Sequence, residues 1–233
     1  MRLWKKHLLL LGVGLMGLAM AVIVFVSRES EPSYEGKKLS QWISQLDPAR
    51  PEITTQARHE AQDALRHMGT NALPYLIEWL QYETPGWKAT VYGIVNRVLR
   101  TLNPRWDLED KRDRVGQVFL AFSVLGDDAR PAIPELSRLV TGPKADVGAA
   151  MVLSWLGDAG LQALVRIVTN EQATLRSRVT AIGQIRRMGT NATSAIPALQ
   201  QMLWDTNRTM RYLATNAIRE IDPETLEKGR AQE

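Results

Sequence analysis

Histidine, clustered carboxylate and columns of arginine are the residues of this chain whose types and spacing could do chemistry. The sequence has three histidines. His7 stands in an apolar leader. His59 and His67 lie eight apart, about 80° round from each other on a helix of 3.6 residues per turn. A metal pair wants i, i+4 on one face, so the two read as surface residues. Asp107, Glu109, Asp110 and Asp113 form an acidic run, but Lys111, Arg112 and Arg114 interleave with them. Such a mixture reads first as a solvated face and second as a cation site. No G-x-S-x-G, P-loop or G-x-G-x-x-G occurs, so neither a nucleophile elbow nor a phosphate cradle is indicated. The chain has no cysteine, which excludes thiolate chemistry, zinc ribbons and disulfides without fixing the redox compartment. Nothing in this inventory calls for a cofactor. The arginines Arg58, Arg178 and Arg211, and separately Arg66, Arg100, Arg186 and Arg219, recur at intervals whose meaning depends on the elements that carry them.

Those elements repeat. Arg66-His67-Met68-Gly69-Thr70-Asn71-Ala72 returns as Arg186-Arg187-Met188-Gly189-Thr190-Asn191-Ala192, with related corners at Gly126, Gly157, Asn103-Pro104 and Asp222-Pro223. The residue before each corner is apolar: Met68, Leu102, Leu125, Leu156, Met188 and Ile221. Four before stand Leu65, Leu99, Phe122, Leu153, Ile185 and Ile218. Eight before stand Ala61, Val95, Val118, Ala149, Ala181 and Ala214. Three such offsets describe one buried stripe of a helix. A second helix follows most corners, with Leu76, Leu136, Leu164 and Leu199 in register and Leu80, Val140, Val168 and Leu203 a turn later. Pro74, Pro134 and Pro197 fall in its first turn, where a missing N–H costs nothing. Asn71 and Asn191 are expected as N-caps and the corner glycines as C′ residues. The corner spacings are 34, 23, 31, 32 and 33 residues, and most of them suit one antiparallel helical pair. The 23-residue step is too short for a full pair, so Trp106 to Leu125 is expected as one long helix.

The corner Gly126-Asp127-Asp128-Ala129-Arg130-Pro131-Ala132-Ile133-Pro134-Glu135-Leu136 resembles that of the HEAT-repeat family, in its short bacterial HEAT-like form. The resemblance spans about residues 53–228 and implies an all-α, right-handed α-solenoid of about six helical hairpins. Tyr34-x-Gly36 followed by Leu39-Ser40-Gln41-Trp42 is similar, more loosely, to the leader of exported bacterial HEAT proteins. A motif of this kind implies an architecture and no particular activity.

The N-terminus adds a location. Leu8 to Val26 is a run of nineteen residues without a charge, long enough as a helix to cross a hydrocarbon core of about 30 Å. Arg2, Lys5 and Lys6 precede it, and the positive-inside rule puts the short N-terminus in the cytoplasm and the repeats outside. Ala19-Met20-Ala21 keeps a cleaved signal peptide open as the alternative. Either way the repeats are exported. Residues 1–27 are thus the membrane segment or signal, 28–38 a polar linker, 39–52 a capping helix with Leu39, Trp42, Ile43 and Leu46 on one face, and 53–233 the repeat domain. With the leader set aside, 26 basic residues face 25 acidic ones. That near-neutrality argues against nucleic acid as the partner.

In this frame the arginines gain roles. Arg58, Arg178 and Arg211 stand eleven residues before their corners, a place where HEAT-like repeats often carry a basic residue. They are expected to bond a carboxylate or carbonyl of the neighbouring repeat. The tract from Arg176 to Arg211 could instead attract an acidic partner, unless the acids from Asp107 to Asp128 offset it. The second-helix column Glu78, Arg138, Arg166 and Gln201 should line the inner surface, through which solenoids bind. These four are the candidate partner-binding residues, and the expected partner is a protein. Two rivals stay open. One is a helical-repeat enzyme of the DNA-glycosylase or lyase type; the other is an envelope spacer without a specific ligand.

Overall fold

The computed structural model describes residues 31–48, 50–81, 97, 101 and 111–224. The protein is mostly helical. A two-residue hairpin, β1 (Ser33–Tyr34) and β2 (Lys37–Lys38), precedes α1 (Leu39–Ser44). Then follow α2 (Thr55–Met68), α3 (Leu73–Leu80), α4 (Lys111–Leu125), α5 (Ile133–Thr141) and α6 (Val147–Trp155). The chain continues through α7 (Gly157–Thr169), α8 (Leu175–Arg187), α9 (Ile196–Met202) and α10 (Arg208–Ile221).

The corners bend where expected. Gly69, Gly126, Gly157 and Gly189 all have φ between 51° and 59°, a conformation that glycine adopts without a Cβ penalty. The residues that follow correct one expectation. Asn71 and Asn191 do not cap the second helices. Gly69–Ala72 and Gly189–Ala195 are 3-10 turns leading straight into α3 and α9, whose first residues receive no side-chain cap. Tightened i→i+3 bonding occupies the backbone groups that a cap would serve. Side-chain caps stand instead at the starts of α2, α6, α8 and α10. Thr54, Asp146, Thr174 and Asn207 accept from Ala57, Ala149, Ser177 and Thr209 N–H groups at 2.8–3.1 Å. Pro74, Pro134 and Pro197 occupy first-turn positions, as their spacing predicts.

The columns pack as their register requires. Ala61, Val118, Ala149, Ala181 and Ala214 are wholly inaccessible, as are Leu65, Leu153, Ile185 and Ile218. Leu76 and Leu136, on the second helices, are equally buried. Helices α4 and α6, α6 and α8, and α8 and α10 are in contact, while α5 packs on α7 and α7 on α9. A small residue eight before each corner lets these backbones approach. At one point the approach is extreme: a Cβ on Gly160 would lie 1.9 Å from the Leu153 carbonyl oxygen. Glycine is therefore obligatory where α7 starts back along α6.

Two regions depart from the expected plan. Within the stretch read as a linker, residues 33–38 turn through Glu35 (φ 48°) and Gly36 (φ 73°) and dock. The Trp42 indole N–H donates to the Tyr34 carbonyl at 3.0 Å, and the Lys37 ammonium lies 4.1 Å from the Trp42 ring centre. Leu39, Trp42, Ile43 and Leu46 are buried against α2 and α4, so α1 closes that end of the core as its periodicity predicts. The second departure concerns α4, which touches both α2 and α3. A strict ladder would interpose the Asn103 step between α2 and α4. That corner, its apolar offsets Leu102, Leu99 and Val95, and the expected start of a long helix at Trp106 lie outside the described residues.

Candidate functional site

Each candidate of the second-helix column is exposed: Glu78 on α3, Arg138 on α5, Arg166 on α7 and Gln201 on α9. They are not all equally available. The Arg138 Nε donates to Glu135 at 2.8 Å, one turn back on α5. This hydrogen bond and the adjacent charge hold the Glu135 carboxyl below the usual range and raise Arg138. Both groups are open to solvent, where such a pair adds little stability. Glu78 and Glu135 meet along an apolar groove of 520 Å³ with Leu73, Ile77 and Pro131. At this end the column therefore presents carboxylates over apolar surface, with the Arg138 guanidinium already paired.

The three arginines eleven residues before their corners share one local geometry. Arg58, Arg178 and Arg211 each follow a helix cap (Thr54, Thr174 and Asn207) by four residues, so the side chain can reach back over the loop that enters its helix. Arg58 donates to the Arg50 carbonyl at 3.2 Å, and its Nε is buried without a partner among the described residues. Arg211 donates to the carbonyls of Asp205 and Thr206 at 2.7 and 3.0 Å. Only Arg178 joins separate units in full. It is 8 % exposed, donates through Nε to the Val168 carbonyl at 2.8 Å, and forms an ion pair with Asp205 beyond α9.

Burial pushes the Asp205 carboxyl up. The Asn207 backbone N–H, the Arg178 guanidinium and the nearby Arg211 charge outweigh it and hold the group below its ordinary value. Asp205 thus carries the expected inter-repeat bridge for Arg178. Arg58 and Arg211 instead close the loops in front of their own helices. Charge in the basic tract is offset by acids further along the chain, at Asp205 and, for Arg186, at Glu220 across α10 (3.7 Å). The run Asp107, Glu109 and Asp110 lies outside the described residues.

A further crevice involves none of these residues except Arg187, from the basic tract. A cavity of 710 Å³ opens along the corner edge, where the ends of α6 and α8 meet the turns at Gly126, Gly157 and Gly189. Met151, Trp155 and Met188 give it an apolar wall, and Arg130, Asp158 and Arg187 stand at its lip. Trp155 is 45 % exposed and meets Phe119 edge to face at 5.7 Å. Arg130 is paired with Asp127 at 2.9 Å. Arg187 has no partner among the described residues.

Gln184 lines this crevice while only 4 % exposed. Among the described residues its carboxamide makes no hydrogen bond. The amide is not sealed in: among the described residues Arg58 Nε is the fully enclosed polar side-chain atom without a partner, so the Gln184 amide keeps a small accessible area at the crevice it lines. The sequence carried the signal. Five residues before the corner the other repeats have Ala64, Ala121, Val152 and Ala217, all fully buried. Gln184 is the single polar member of an apolar column.

His59 and His67 are exposed, as expected, and the His67 ring lies 4.3 Å from that of Tyr34. Among the described residues no three His, Asp or Glu side chains gather where a metal ion could be held. Among them, too, no helix is long and apolar enough to cross a membrane; residues 8–26 lie outside that set. No protein-family model matches the chain, and no curated protein matches it.

Proposed function

We propose that this chain is a HEAT-like, right-handed α-solenoid of about six hairpins that binds a protein partner and catalyses no reaction. Residues 8–26 tether it to a membrane, with the repeats on the extracytoplasmic side. Serial packing carries the reading: helices of one register stack from α4 through α10 on fully buried columns, each hairpin closing the core of the last. A stack of this kind offers broad, regularly spaced surface, which is what solenoids use for binding. The buried carboxylate Asp205 supports the non-catalytic part, because its lone pairs are committed to Arg178 and the Asn207 N–H. The partner surface proposed from the repeat is the column Glu78, Arg138, Arg166 and Gln201.

The test is crosslinking in intact cells, with identification of what is joined to the full chain. A discrete protein adduct, reduced in the Arg138→Glu, Arg166→Glu double variant, is the expected result. Absence of any protein adduct would sink the scaffold reading and leave the envelope spacer. External protease should digest the repeats in spheroplasts while sparing the N-terminus; protected repeats would overturn the tethered topology.

A further inference from the structure

We infer that the corner crevice at Gln184 is a docking site for an extended peptide segment in which an apolar side chain neighbours a carboxylate. The inference rests on the scaffold reading and adds a second surface to it, on the corner edge and apart from the second-helix column.

Three observations converge. The first is the unpaired carboxamide. Gln184 occupies a position that is alanine or valine in every other described repeat; it is 4 % exposed where they are fully buried, and it lines the crevice. A polar group placed against the local rule, with no partner from its own fold, marks a site whose partner comes from outside. A carboxamide presents a donor and an acceptor side by side, the complement of a peptide group in extended backbone. The second is the wall. Trp155, half-exposed and braced by Phe119, forms with Met151 and Met188 an aromatic and thioether surface. Such surfaces take apolar side chains of varied shape.

The third is charge. Arg130 is neutralised by Asp127, which leaves Arg187 as the cation of the lip without a partner among the described residues; Asp158 also lines it. One free guanidinium beside a near-neutral cleft suits a single carboxylate and does not suit a polyanion. At 710 Å³ the crevice is of the size that accepts a few residues of chain.

The experiment uses the full chain in detergent and an array of immobilised nonapeptides in which Leu or Phe alternates with Asp, Lys or Ser. Retention on the Asp series is expected, at least tenfold weaker for Gln184→Leu and for Arg187→Glu. The melting temperature of Gln184→Leu should equal or exceed that of the wild type, because the substitution completes an apolar column. A purely structural glutamine would behave in the opposite way, so a lowered melting temperature overturns the proposal. So does undiminished binding by Gln184→Leu, or a preference for the Lys series. Retention of immobilised oligosaccharides in place of peptides would overturn it as well. If no peptide binds while the chain still forms protein adducts in cells, the crevice assignment falls and the scaffold reading stands. Loss of both would remove the two together.

Discussion

Arg178 and Gln184 sit on the same helix, six residues apart, and both are buried polar side chains whose buried neighbours on that helix are Ser177, Ala181, Ile182 and Ile185. One is fully answered by the fold. Arg178 meets the Val168 carbonyl, the Asp205 carboxylate and the Met202 sulfur. The other makes no side-chain hydrogen bond among the described residues. The contrast teaches how to read buried polarity in a stacked-helix protein. A paired group joins neighbouring units and belongs to the architecture, whereas an unpaired one facing a cavity belongs to whatever enters that cavity.

The largest effect should come from breaking the answered side. Arg178→Ala strands Asp205 in a site where both side chains are about nine-tenths inaccessible, and loss of one partner of a buried pair costs about 3–5 kcal/mol. Denaturant unfolding measures it; a loss below about 1 kcal/mol would place Arg178 with the exposed pairs and erase the contrast. Next in size is Ala181→Leu, between Arg178 and Gln184 on α8. Overpacking a fully buried alanine should cost about 1–3 kcal/mol, while Gln184→Leu, one turn along, should cost nothing. Equal losses at the two sites would show that the free amide is structural after all.

Acid sharpens the comparison further. The Asp205 carboxyl is held below its ordinary value, so its contribution is fully present above the unfolded value of 3.8. It is lost as the pH falls through the lower folded value. Thermal melts taken downward from pH 5 should therefore show a loss that Asp205→Asn abolishes and Gln184→Leu leaves in place. The smallest effect belongs to the exposed column. Gln201→Ala should change stability by less than about 0.5 kcal/mol, and a larger change in a urea melt would mean that α9 faces another way.

How much of this was legible beforehand follows the range of each interaction. The buried stripes were legible at every described corner, because helical periodicity needs only residues three to eight apart. Gln184 was legible too, as the odd member of its column, but that column was not among the three offsets compared. The Arg138–Glu135 pair, three residues apart on one helix, was equally within reach of a local reading, which assigned Arg138 to the partner-binding column without it. The hairpin at residues 33–38 was hidden by polar composition: its docking depends on Trp42 and Tyr34, whose mutual contact is tertiary.

By itself, then, the sequence determined where the chain bends and which face of each helix is buried. Positive φ falls at Gly69, Gly126, Gly157 and Gly189 because only glycine adopts it freely, and burial follows a period set by the backbone. Only the tertiary structure decided which polar groups find partners. Arg178 takes its carboxylate from a loop 27 residues away, and Gln184 finds no partner among the described residues. The acceptor's distance and the cavity's shape come from how neighbouring units stack, and no local spacing encodes either.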